Sequence, residues 1–286
     1  MSRRQLLQSS ALASWSLSMG ATLGAPSPAS PALRFGLITD VHYADKAPAG
    51  TRHYRESVAK LEEAAVAFEQ AQVAFVVELG DLIDAADEVH VELGYLQTIN
   101  RVFSQIAPQR HYVLGNHCVD LLTKPEFLGE VEQEKSYYSF DHSGCHFILL
   151  DACFRADHQD YGRKNAHWTD TNIPPEQLEW LRSDLQATSH PVVVFVHQRL
   201  DVDTNHGVKN NAAVREVLEE SQRVVAVFQG HSHENALNQI GGIPYCTLVA
   251  MVEGSGELQS GYAIVEVTPE PKLSLQGFRR QATHRW

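Results

Sequence analysis

Val224-Val225-Ala226-Val227-Phe228, followed after Gln229 by Gly230-His231-Ser232-His233, is the stretch from which the rest of the chain is read. Five apolar residues in a row read as a buried strand. Gly230 then permits a turn. In an extended segment residues i and i+2 point to the same side, so His231 and His233 present two imidazoles together. Neutral imidazoles suit a transition metal. A lone H-x-H pair is weak evidence. It gains weight because four other strand-like runs end in similar chemistry.

The run 33–39 ends in Asp40-Val41-His42, and the run 73–79 in Gly80-Asp81. The run 110–114 leads into Gly115-Asn116-His117, and 191–196 into His197. Asp84 reads as a supporting or capping residue rather than a ligand, and Asp151 as structural. Helical spacing fills the intervals: 52–70 through Val58, Leu61, Ala64, Ala65 and Phe68, then 89–107, 174–185 and 211–220. Residues 135–140 and 145–150 read as a hairpin. The polar stretch 157–171 is a long loop that either lines a site or runs over the surface. Strand-like runs at 243–250, 262–267 and 273–278 imply two sheets packed together. Alternating strands and helices imply a mainly parallel layer, whose ligands bind beyond the carboxyl ends of the strands.

With 286 residues the chain can bury the core of one α/β domain. Its net charge of −12 and lack of a basic stripe disfavour nucleic acid as a partner. Cys118, Cys145, Cys153 and Cys246 have no C-x-x-C spacing, so a zinc knuckle is not expected. A Cys145–Cys153 pair is conceivable, but buried free thiols are the expectation for most of them. Arg52-His53-Tyr54-Arg55 is either a solvated helix end or a site for a substrate anion. Arg199, in a polar loop, is a further candidate for phosphate. Residues 1–31 read as a signal peptide and processing linker, leaving 32–286 as the domain. Ser2-Arg3-Arg4-Gln5-Leu6-Leu7 before a mildly apolar run resembles a twin-arginine export signal. It implies export, to the periplasm, with no stable membrane insertion once the signal is removed.

Taken in order, Asp40-x-His42, Gly80-Asp81-x-x-Asp84, Gly115-Asn116-His117, His197 and Gly230-His231-x-His233 resemble the motifs of the calcineurin-like metallophosphoesterases. The resemblance spans nearly all of 32–286. It implies an α/β/β/α sandwich of two mixed sheets flanked by helices. It also implies two divalent or trivalent transition-metal ions, of manganese, iron or zinc. Asp40, His42, Asp81 and His233 match the ligands of one ion. Asp81, Asn116, His197 and His231 match those of the other, with Asp81 bridging. His117 matches the histidine that assists the leaving group. Two such ions about 3.5–4 Å apart activate a hydroxide and neutralise charge at phosphorus. The expected function is therefore hydrolysis of a small phosphorylated substrate.

Two departures stand out. Cys118 occupies the position where the family has an acid, so the partner of His117 is not evident. Gln198-Arg199 after His197 is also unusual. Asp40-Val41-His42-Tyr43-Ala44-Asp45, Arg52-His53-Tyr54-Arg55 and Leu79-Gly80-Asp81-Leu82-Ile83-Asp84 further resemble manganese-dependent ADP-ribose/CDP-alcohol diphosphatases, which usually carry Gln where this chain has His42. A nucleoside-diphosphate-type pyrophosphohydrolase is therefore an alternative. A non-catalytic metal-binding module is another, of a different class.

Overall fold

The computed structural model describes residues 32–107, 109–268 and 273–286. The expected signal and linker, residues 1–31, lie outside the described residues. In chain order the first elements are β1 (Leu33–Ile38), α1 (Ser57–Ala71), β2 (Phe75–Glu78), α2 (Val89–Phe103), β3 (Arg110–Tyr112) and α3 (Lys124–Glu130). A hairpin of β4 (Tyr138–His142) and β5 (Cys145–Leu149) precedes α4 (Pro175–Ala187), β6 (Val192–Phe195), α5 (Asn211–Ser221) and β7 (Val224–Gln229). The chain then forms β8 (Ala236–Ile240), β9 (Ile243–Thr247), β10 (Gly261–Val267), β11 (Leu273–Arg279) and β12 (His284–Arg285).

The strands form two mixed sheets, in the orders β12-β11-β10-β1-β2-β3 and β4-β5-β6-β7-β9-β8. Parallel pairing runs through β1, β2 and β3 in one sheet and through β5, β6, β7 and β9 in the other. The C-terminal strands do not build a separate sheet. β10 pairs antiparallel with β1, and β9 extends the sheet of β7.

Strand alternation sends side chains to opposite faces, and the layers follow from it. Leu33, Phe35 and Leu37 of β1 meet Val193 and Phe195 of β6 in the core between the sheets. Phe35 is central there: its ring centroid lies 5.1 Å from Phe75, 5.5 Å from Phe147, 5.8 Å from Phe195 and 6.3 Å from Phe228. Val192 and Val194 face the other way, onto Leu181 and Leu185 of α4 and Val214 and Leu218 of α5. Leu61 and Phe68 of α1, Leu96 and Phe103 of α2 and Phe127 of α3 cover the outer face of the first sheet. The result is the expected α/β/β/α sandwich. Among the described residues no helix is long and apolar enough to cross a membrane.

Several local expectations need correction. The first helix begins at Ser57, not Arg52, after a 3-10 turn at Tyr54–Glu56. The backbone ahead of it is engaged elsewhere: His53 donates its N–H to the Val252 carbonyl (3.0 Å), and Arg52 bridges Glu253. α3 and β8 were not expected. Cys145 and Cys153 do not pair, because Cys145 packs between the sheets and Cys153 on the helical side of the first sheet. All four cysteines are buried free thiols. Asp151 is structural, with Lys124 Nζ 2.7 Å from its carboxylate.

Candidate metal centre

The side chains singled out at strand ends converge at the carboxyl edges of both sheets. Asp40 and His42 follow β1, Asp81 follows β2, and Asn116 and His117 follow β3. His197 follows β6, and His231 and His233 follow β7. The loops are tied across one another. Asp40 N–H donates to Gly80 O (2.9 Å), His42 N–H to Asp81 O (2.8 Å) and Gly230 N–H to His197 O (3.0 Å).

Asp40, His42, Asp81, His231 and His233 all hold left-handed backbones, with φ of 51°, 43°, 60°, 70° and 59°. Each costs about 1–3 kcal/mol, and such residues gather at functional sites. Two glycines allow the crowding. Gly80 has φ +107°, and a Cβ there would lie 2.5 Å from His197 Nδ1. A Cβ on Gly230 would lie 2.1 Å from Thr39 Oγ1 and 2.6 Å from Asp40 Oδ2.

Hydrogen bonds on the outside of the cluster turn lone pairs inward. His197 donates from Nδ1 to Leu79 O (2.9 Å), which leaves Nε2 bare. That Nε2 is 3.1 Å from Asp81 Oδ2 and 3.2 Å from His231 Nδ1. His233 Nδ1 meets Glu253 Oε1 (2.7 Å), and His42 Nδ1 meets Asp84 Oδ1 (3.2 Å). The Nε2 atoms of His42 and His233 then face each other at 3.2 Å. Asp40 Oδ1 lies 3.3 Å from His233 Nε2 and 3.6 Å from His42 Nε2. Asp81 Oδ2 stands between the groups, 3.6 Å from His42 Nε2 and 3.1 Å from His197 Nε2.

Buried acceptors aimed at one another repel unless a cation joins them. Asp40 Oδ1, Asn116 Oδ1 and His231 Nε2 are buried without a hydrogen-bond partner. Three sets have ligand atoms close enough to hold an ion: Asp40 with His42 and His233, His42 with Asp81 and His117, and Asp81 with His197 and His231. The donor set of imidazoles, carboxylates and an amide oxygen fits transition metals.

The electrostatics fit the same use. Burial and the neighbouring His197 push the His231 pKa down to about 3, so the ring is neutral at pH 7 and one of its nitrogens offers a lone pair. Burial acts to raise the Asp40 pKa, but His233 and His197 hold it well below the usual carboxylate range. Burial opposes protonation of His233, yet Asp40 and Glu253 raise its pKa to about 9. Metal binding at that nitrogen therefore displaces a proton.

His117 borders the cluster, its N–H donated to Asp81 Oδ1 (2.8 Å) and its Nδ1 2.9 Å from Asp84 Oδ1. A cavity of about 200 Å³ opens beside it, lined by Asn116, Asp120, Tyr161, His167 and Trp168. The loop 157–171 thus lines the site: the Trp168 ring lies 5.5 Å from those of His231 and His206. A larger groove of about 870 Å³, lined by Lys124, Tyr137 and Trp180, contains none of the clustered residues.

The three arginines have different fates. Arg52 Nη1 lies 3.7 Å from Asp84 Oδ1, beside the cluster. Arg55 instead donates Nε–H to Asp45 (2.6 Å), both side chains more than half exposed. Arg199 is buried and clamped by Asp201 through Nε (3.0 Å) and Nη2 (2.7 Å), with Nη1 3.4 Å from Ser232 Oγ. Sequence reasoning missed Glu253, Lys46 (which pairs with Asp84) and Trp168. None stands in a motif, and only the long loop hinted at Trp168.

The chain belongs to the calcineurin-like phosphoesterases, whose family model matches residues 33–235. It is a metal-dependent hydrolase of phosphoester bonds with a two-metal centre. It is similar to the manganese-dependent ADP-ribose/CDP-alcohol diphosphatase of Oryza sativa subsp. japonica, at 27% identity over 88% of this chain and 93% of that protein. The Danio rerio protein of the same name is 25% identical over 78% of this chain and 88% of its own length. In fold it resembles the crystal structure of a dimetal phosphatase from Danio rerio (TM-score 0.79, 22% identity, 89% of this chain and 98% of that one). A purple acid phosphatase from yellow lupin matches more loosely (TM-score 0.58, 13% identity, 90% of this chain and 53% of that one).

Proposed function

We propose that the protein is a manganese-dependent diphosphatase that splits small nucleoside-diphosphate-type molecules such as ADP-ribose or a CDP-alcohol. The similarity to diphosphatases across 88% of this chain and 93% of the rice protein carries this reading. In it, Asp40, His42, Asp81 and His233 hold one ion, and Asp81, Asn116, His197 and His231 the other. Asp81 Oδ2, between the His42 and His197 nitrogens, supports the bridging role.

When bound, the ions supply Lewis acidity and hydroxide at neutral pH. The chain supplies the rest. Burial lowers the His117 pKa, but Asp81 and Asp84 outweigh it and raise it above the ordinary histidine value. His117 therefore carries a proton to the bridging oxygen of the diphosphate as the P–O bond breaks. The attacking oxygen bonds to phosphorus, and two phosphomonoesters leave. Arg52 meets the second phosphate, and the cavity beside His117 receives the group attached to it.

Product analysis after incubation with Mn²⁺ tests this. ADP-ribose should yield AMP and ribose 5-phosphate. Release of orthophosphate from monoesters, with ADP-ribose and CDP-alcohols untouched, would leave only the phosphomonoesterase reading. The twin-arginine resemblance of residues 1–31 supports export to the periplasm. Replacing Arg3 and Arg4 by Lys should retain the protein in the cytoplasm, and unchanged export would refute that.

A further inference from the structure

Lys60 is a fully buried lysine on α1, and it is far in sequence from every metal motif. Its Nζ lies 3.0 Å from Met251 O, 3.3 Å from Val252 O, 3.1 Å from Glu253 O and 2.7 Å from Gly254 O. Four successive carbonyls therefore close on one ammonium, which has three protons to share among them. The opposite edge of this strap faces the metal centre. Met251 N–H donates to Thr39 O (3.1 Å), Val252 N–H to Asp40 O (3.0 Å) and Gly254 N–H to Thr51 O (2.7 Å). Between them Glu253 reaches out to His233 Nδ1 (2.7 Å).

We propose that Lys60 is a positioning residue for the Asp40–His42–His233 ion, holding the strap 251–254 so that Glu253 fixes the His233 ring and the strap N–H groups brace Asp40. This rests on the ligand assignment proposed above. Without the ammonium, the Met251, Glu253 and Gly254 carbonyls lose the donor they share, while Val252 O keeps the His53 N–H (3.0 Å). Unsatisfied buried carbonyls are unfavourable, so the strap turns toward other partners and carries Glu253 with it. His233 is then free to rotate and to change tautomer. Losing an outer partner of a ligating histidine typically weakens metal affinity about 10–100-fold.

The test is Mn²⁺ titration of the metal-free full chain by calorimetry, with folding checked by circular dichroism. Wild type should bind two ions, and failure there refutes the ligand assignment rather than the role of Lys60. Lys60→Met should weaken one of the two sites about 10–100-fold and leave the other unchanged. A purely structural role would lower thermal stability without separating the two affinities. Glu253→Gln should weaken the same site, and the double variant should lose little more than either single one. A folded Lys60→Met protein with both affinities intact would overturn the proposal. Hydrogen exchange of the metal-free wild type is independent of any variant. The amides of Met251, Val252 and Gly254 should exchange slowly, and rapid exchange there would equally overturn it.

Discussion

Asp84 Oδ1 stands 2.9 Å from His117 Nδ1 and 3.2 Å from His42 Nδ1, so one carboxylate oxygen orients two imidazoles of the site. Burial would raise the Asp84 pKa, but the His117 and His42 rings beside it hold it well below the usual carboxylate range. Cys118, next to His117, is buried at the foot of the loop and plays no such part. The partner that the sequence did not reveal at position 118 is supplied three residues after Asp81.

Asp84→Asn should therefore impair proton delivery by His117. For a diphosphate or alkyl ester, kcat is expected to fall about 10²–10⁴-fold. For an aryl phosphate with a weakly basic leaving group the loss should nearly vanish, since little protonation is needed. Comparing the two substrates at equal metal content checks this. Equal losses on both would assign Asp84 to metal binding alone.

Arg52 and Arg55 separate substrate contact from surface charge. Arg52→Ala removes a guanidinium beside the cluster, and KM for the diphosphate should rise about tenfold or more, with a smaller change in kcat. Arg55→Ala only frees Asp45 and should leave both constants at wild-type values. Steady-state kinetics of the pair decide the matter.

Phe35 tests the packing that brings the sheet edges together. Phe35→Ala opens a hole among four other phenylalanine rings and should cost about 3–5 kcal/mol of unfolding free energy. Urea unfolding monitored by circular dichroism measures it. A cost below about 1 kcal/mol would mean that the two sheets are not held by this cluster.

His146 makes stability depend on pH. Its Nδ1 is 2.6 Å from Asp141 and its Nε2 2.8 Å from Asp184. Burial lowers its pKa, but the two carboxylates outweigh burial and raise it above the ordinary value. A raised folded-state pKa contributes stability that is complete below the unfolded value of about 6.5 and is lost as pH rises through the folded value. The gap in Tm between wild type and His146→Gln should therefore shrink as pH rises above about 6.5. A constant gap would exclude the doubly bonded imidazolium.

The strand ends were legible in the sequence for a physical reason. A ligand just beyond an apolar run needs no distant information: the run fixes the strand, and the strand fixes where the next residues point. Asp40, His42, Asp81, Asn116, His117, His197, His231 and His233 all follow that rule, and the structure gathers them. Glu253 and Lys60 do not, because their roles exist only once the strap 251–254 lies between α1 and the end of β1. Lys60 lies on the same buried face of α1 as Leu61, Ala64 and Phe68, where helical periodicity has no means of marking a buried ammonium. α3 did carry a signal, the capping box of Thr123 and Glu126 with Pro125 in the first turn. β8 is a short edge strand with its middle three residues exposed, and only the Gly241-Gly242 turn announces it.

Metal counting on purified protein tests whether two ions share Asp81. After loading with Mn²⁺ and removal of free metal, mass spectrometry of the wild type should find two ions per chain together with diphosphate hydrolysis. Asp81→Ala should retain at most one and lose the activity. Full activity in an Asp81→Ala protein, or a wild type that is active with no bound metal, would rule out catalysis by two ions joined through Asp81.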